Sequence, residues 1–262
     1  MSDWLMNLPL PWMTAVILAA TYLVTAMIYG IVSALAVGER ARAFKAISPA
    51  MLPPLAILFA LLVGFLAAQA WSDNDRARVA VSNEASALRS AVIVAGDFPP
   101  DVAGRVRGLV RRQIQDAVQQ EWPAMSRGVA TIALIPAPLQ EALRLAFAID
   151  PQGQGQAVAQ RELVGALESA LEARRQRIIL SESSINGAKW LALLAQAFLT
   201  LLTIALVHSD QPVANRIILA IFATSVAAAI VLVASHSRPF TGAAAVRPSV
   251  LLQVMPEAAT AR

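Results

Sequence analysis

Apolar positions along the chain fall into four long blocks, and between the second and third they thin into stripes. The second block, Pro53 to Trp71, runs about nineteen residues without a charge, and Gln69 is its only polar side chain. At ~1.5 Å per residue such a helix approaches the ~30 Å of hydrocarbon in a bilayer. Trp12–Val37, Leu191–Val207 and Ile217–Ala234 are the other three blocks. The first lacks a basic leader and is too long for a signal-peptide core, so it reads as a retained span. Beyond Trp71 the helix signal does not stop. Asp73–Gly96 has no proline, so one long helix is predicted to leave the membrane and enter the polar part of the chain.

There the pattern changes to a period near 3.6. Ala77, Val81, Leu88, Val92 and Ala95 form an apolar stripe interrupted by Glu84. Val102, Val106, Leu109, Val110 and Ile114 line one face of an amphipathic helix over Asp101–Trp122, which Glu121-Trp122-Pro123 is expected to end, because a residue before proline resists the α conformation. Gly128–Ile135 is apolar but too short to span, and a short helix is predicted over Leu139–Ile149. A long helix follows over Ala157–Ser184, its stripe of Leu163, Leu167, Leu171 and Ile178 interrupted by Arg174. A charge on a buried stripe needs a partner, so Glu84 is expected to pair with Arg174 or Arg177. The resulting fold class is an all-α membrane protein. Residues 1–72 hold the first transmembrane pair, 73–186 a helical soluble block, 187–236 the second pair and 237–262 a tail whose last residues, from Glu257, are expected to be loose.

The second span carries two distinct faces. Leu58, Leu62, Phe65 and Gln69 recur at spacings that place them together, while Ala60, Gly64 and Ala68 make a small-residue face suited to close helix approach. In an oligomer with the bulky stripe inward, Leu58, Leu62 and Phe65 would form a dewetting constriction, Gln69 a polar ring below it and Arg76 a charged ring at the mouth, beside Asp73. Thr14, Thr21 and Thr25 share one face of the first span, either bonded back to helix carbonyls or lining a wet surface. Lys189 and Trp190 mark the membrane interface at the third span.

Composition narrows the function. The chain is 57% hydrophobic and 15% charged, which fits a membrane protein and not an ordinary soluble domain. It has no cysteine, so disulfides, thiolate metal sites and cysteine nucleophiles are excluded. Its two histidines, His208 and His236, sit at span ends as interfacial residues, and no metal or other cofactor is expected. The spans carry no acid, no His-Glu-x-x-His pattern and no serine–lysine pair, which argues against an intramembrane enzyme. The block balances acids and bases, so it has no nucleic-acid footprint. Four spans place both termini and the block on one side. Arg76, Arg78, Arg89, Arg174, Arg175, Arg177, Lys189, Arg238 and Arg247 lie near the span ends there, against Arg40, Arg42, Lys45 and Arg216 opposite, so the block is expected to be cytoplasmic at the inner membrane.

These pieces, in this order, resemble the bestrophin-like domain family of mostly bacterial membrane proteins. The resemblance rests on Ser48-Pro49, Phe59, Phe65, Trp71, Glu84 to Leu88, Glu121-Trp122-Pro123, Arg174 to Ile178, Trp190, the Arg238-Pro239-Phe240-Thr241-Gly242 run and Val246-Arg247-Pro248. It implies similarity to bestrophins, pentameric anion channels with cytoplasmic termini and a helical cytosolic block between their second and third spans. The expected partners are therefore the lipid bilayer, further copies of the chain and small inorganic ions. No acidic cluster resembles the bestrophin calcium clasp, so calcium gating does not carry over. The alternative is a membrane-anchored helical scaffold or signalling module that conducts nothing.

Overall fold

The structure, a computed structural model, describes residues 3–6, 8–183, 185–242 and 244–257. The side chain of Lys45, Ser184 at the expected end of a helix, and the tail end 258–262 lie outside the described residues. Every regular element among the described residues is helical. We label the seven longer helices α1 (Leu10–Leu35), α2 (Leu52–Val94), α3 (Pro100–Asp116), α4 (Ala137–Phe147), α5 (Gln154–Ser181), α6 (Gly187–Val207) and α7 (Pro212–His236). Several open on a proline in the first turn, as α3 does at Pro100 and α7 at Pro212, where the missing N–H would have had no helical partner. α6 is capped by Asn186, whose side-chain oxygen accepts from the Lys189 N–H at 3.0 Å.

Among the described residues, four helices are long and apolar enough to cross a membrane: α1, α2, α6 and α7. α2 is 43 residues in one piece, because its prolines, Pro53 and Pro54, sit in the first turn and none follows. Its first part is the apolar stretch and its second part the stripe that holds Glu84.

The chain divides into two compact units, and α2 contributes to both. The first contains residues up to Ser72 together with Ser184–Arg238. Here α1 packs chiefly on α7 and also on α6. One apolar cluster joins Met13, Phe59, Leu66, Leu193 and Val226, and Phe59 meets Phe222 at 6.0 Å between rings. A second joins Ile28, Val32, Leu201, Ile204, Leu219 and Ala223. Thr21 and Thr25 donate to the carbonyls of Ile17 and Thr21, both at 2.8 Å, so both hydroxyls are bonded back to their own helix. Trp190 corrects an expectation: it does not face the membrane interface but is buried at 4% exposure in the first cluster, where a large ring gains most from packing.

The second unit contains Asp73–Ser183, Pro239–Thr241 and the chain from Ala245. Its core takes Ala77, Val81 and Leu88 from α2, Val106 to Ile114 from α3, Leu139 and Ala142 from α4, and Leu163, Leu167 and Ile178 from α5. Phe240, Val246 and Leu251 of the tail are buried in the same core.

Another expectation is overturned here. Glu121-Trp122-Pro123 does not end the third helix. After Asp116 the chain makes a π turn over Ala117–Glu121 and continues as a helix through Trp122–Ser126. Trp122 keeps the α conformation (φ −58°, ψ −49°), and its N–H reaches the Ala117 carbonyl five residues back. The widened turn lets Pro123 follow without breaking the helix.

The continuity of α2 is testable at Val79, which is 56% exposed, so that a substitution there changes mainly the backbone. Val79→Pro removes one helical hydrogen bond and is expected to cost ~3 kcal/mol. It should lower the thermal midpoint in detergent and raise amide exchange around residue 79, whereas Val79→Ala should do neither.

Candidate functional site

Two places hold the candidate residues. The first is the apolar part of α2. Phe59, Leu66, Ala67 and Ala70 face the chain's own core. Leu58 and Phe65 do not: they are 55% and 72% exposed, and Ile57 and Leu61 beside them are exposed as well. Leu62 is half-buried against the first apolar cluster. Gln69 accepts a hydrogen bond from the Lys189 ammonium at 2.6 Å, so its carbonyl oxygen is engaged within the unit. Ala60, Gly64 and Ala68 are exposed, and a Cβ added at Gly64 would meet nothing within 4 Å. Arg76, whose side chain is exposed, lies 4.0 Å from the half-buried Asp73 one turn before it. Such a pair contributes little to stability, which leaves the guanidinium available to act as surface charge.

The second place is a charge cluster in the helical unit. Arg177 on α5 has a fully buried side chain. Its Nε donates to Glu84 Oε2 at 2.6 Å and its Nη2 to Glu84 Oε1 at 3.1 Å, a two-pronged grip on a carboxylate that is itself fully buried. The same Nη2 donates to Glu121 Oε2 at 2.6 Å, and Arg174 Nε donates to Glu121 Oε1 at 2.7 Å. Two guanidiniums thus face two carboxylates. Burial works to lower the Arg177 pKa, but the charges and hydrogen bonds of Glu84 and then Glu121 outweigh it and hold it above the usual guanidinium value. Arg177 is therefore a permanent cation.

Trp122, Pro239 and Phe240 of the expected motif residues come together beside this cluster. The Arg177 guanidinium lies 4.6 Å from the centre of the Trp122 ring, a cation–π contact sheltered from water. Trp122 Nε1 donates to the Val246 carbonyl at 3.1 Å, and Phe240 meets the indole edge-on at 5.8 Å. Pro239 accepts from the Val246 N–H at 2.8 Å, and Gly242 supplies a left-handed turn (φ 82°). Of the two alternatives for Glu84, Arg177 is its partner, and Arg174 serves Glu121 instead. Sequence reasoning missed Glu121 as a member of the charge cluster, because reading Glu121-Trp122-Pro123 as a helix end assigns it no face, although it lies seven residues after Ile114 on the apolar stripe. It also missed Met125, whose sulfur accepts from Arg177 Nη1 at 3.4 Å.

The bestrophin-like domain matches residues 19–251, nearly the whole chain. The chain belongs to the bestrophin-like domain family. Among solved structures it is similar to a point mutant of a bacterial bestrophin homologue from Klebsiella pneumoniae, at 14% identity and a TM-score of 0.71, with 92% of this chain and 97% of that one covered. A second mutant described in the same words aligns at 13% identity and a TM-score of 0.70, covering 92% and 96%. A crystal structure described only as a membrane protein variant aligns at 13% identity and 0.69, again covering 92% and 96%. No curated protein matches the chain. At these identities the structural likeness speaks for the fold, and this bestrophin-like chain shares it over almost its full length.

The cluster makes a graded prediction. Removing one partner of a fully buried pair leaves the other uncompensated, so Glu84→Ala is expected to cost ~3–5 kcal/mol. Arg174→Ala should cost less, because Arg174 serves only Glu121 and retains a little exposure. Trp122→Phe keeps an aromatic ring but loses the bond to Val246, worth ~1 kcal/mol. Denaturation midpoints of the purified protein in detergent check the order; equal losses for the first two variants would contradict it.

Proposed function

We propose that this bestrophin-like protein is a homo-oligomeric membrane channel for small inorganic ions, conducting anions, with α2 lining the passage. In this reading the helical block and both termini lie in the cytoplasm and the spans cross the inner membrane. The carrying observation is the poor coverage of α2 by its own chain. Its most apolar window is 17% buried, against 39% for α6 and α7. Leu58 and Phe65 present bulky apolar groups on its uncovered side, as a dewetting constriction requires, with Leu62 at its flank. Ala60, Gly64 and Ala68 offer a second uncovered face on which a neighbouring copy can pack. Gln69 and Arg76 follow along the same helix as polar groups beyond the constriction. The exposed Arg76 favours anions at the mouth, with Asp73 moderating the field. The resemblance to bestrophins suggests five copies, and the positive-inside bias supports the orientation.

One observation favours a second reading, a membrane-anchored scaffold that conducts nothing. Val129, Ile132, Leu134 and Ile135 expose apolar side chains from the helical unit, as a partner-binding surface would.

Reconstitution separates the two. Liposomes containing the protein are expected to pass chloride faster than potassium, and Phe65→Ala should raise the flux by about tenfold or more by widening the constriction, a barrier change of ~1.4 kcal/mol. A monomer by mass measurement, with no flux from either protein, would select the scaffold.

A further inference from the structure

Between α1 and α6 lies a groove of about 480 Å³, within the size range of ligand pockets (roughly 300–1,000 Å³). Its floor is Ile17, Thr21, Ala197 and Leu201, backed by Val226 and Ile230 of α7, all nearly buried. Ala20 and Ala195 are small and exposed, and they leave the space open. The rim carries Leu191, Leu194 and Phe198, which are 70%, 46% and 42% exposed.

The wall offers almost nothing polar. Its one hydroxyl, on Thr21, already donates to the Ile17 carbonyl at 2.8 Å. Water in such a groove would forgo its hydrogen bonds, so the occupant must be hydrocarbon. The lining residues also give the groove its length. Along α6 it runs from Leu191 to Leu201, about 15 Å at ~1.5 Å per residue, which is half of the ~30 Å hydrocarbon core. Its outer end lies at Leu5 and Leu191, where the span begins. Beyond Val24 and Leu201, Ile28 and Val32 of α1 share a buried apolar cluster with Leu201 and Ile204 of α6. A side chain from a neighbouring helix does not need an apolar groove about half a hydrocarbon core long that starts near the end of a span. A lipid tail does.

We infer that this groove is a binding site for one acyl chain of a phospholipid, drawn from the leaflet at which α6 begins. The site depends on the chain's being a membrane protein and not on whether it conducts.

The test uses the full-length protein in vesicles of phosphatidylethanolamine and phosphatidylglycerol, with a phospholipid carrying a photoactivatable diazirine near the end of one acyl chain. Labelling is expected to concentrate on Val16–Val24 and Leu191–Leu201, about tenfold above the exposed α7 positions Ile217 and Ile221. Ala20→Leu and Ala195→Leu fill the space from exposed positions and should bring labelling down to the α7 level. Even labelling over all exposed span faces, or undiminished groove labelling in both variants, would overturn the site. A neighbouring copy as occupant is read separately. The natural chain has no cysteine, so Ala195→Cys supplies a single reactive thiol. Efficient crosslinking of two copies through it, with no acyl label in the groove, would also overturn the proposal.

Discussion

Arg177 is a permanent cation with no access to solvent, and the helical unit can form only if its charge is met. The groups that meet it come from separate parts of the chain: Glu84 from α2, Glu121 from the π turn after α3, the Trp122 ring beside it, and Met125 one turn on. Glu121 in turn holds Arg174, and Trp122 holds the tail through Val246. A buried ion pair gains little over good apolar packing, yet half of one is costly. The cluster therefore acts less as a source of stability than as a condition on registry. α2, α5 and the π turn must stand at one rotation and one height, or a charge is stranded in the core.

The π turn has its place in that condition. One extra residue rotates everything downstream by about 100° relative to a regular helix. The Trp122 N–H reaches back to Ala117, and Pro123, which has no N–H, comes next. The widened turn thus absorbs a missing donor and keeps Trp122, which a regular helix would carry toward the polar side, in the core. Proline at this point belongs to the cause of the geometry and is not a break in it.

How far the sequence could be read follows from which features are local. The four long apolar helices, the length of α2 and the amphipathic helices between them were legible because apolar runs and the 3.6 period are properties of neighbouring residues. Glu84 was legible as a buried charge because it interrupts a stripe. Its choice of Arg177 over Arg174 was not, since that depends on Glu121, which the reading of Glu121-Trp122-Pro123 as a helix end left out of the cluster. Trp190 was misplaced for a related reason. An aromatic beside a lysine at a span end reads as interfacial, but tertiary packing takes it inward. Tail residues Val246 and Leu251 carry no helix signal of any length, and only the assembled core shows them to be part of it.

The two units differ in how completely they account for their own surfaces. In the helical unit the costliest group, Arg177, is met from within the same chain. In the spanning unit the chain leaves α2 with three unlike faces: an inner one led by Phe59 and Leu66, a small one along Ala60, Gly64 and Ala68, and a bulky one along Leu58 and Phe65. Fluid lipid asks for no such division, because acyl chains solvate any apolar side chain. Helix neighbours do, because without a hydrophobic drive in the bilayer their association depends on close approach and van der Waals fit. A helix with one small face and one bulky face can pack on a neighbour with the first while turning the second toward an axis. The division of α2 into faces is thus the physical reason to look for its missing contacts in other copies of the chain.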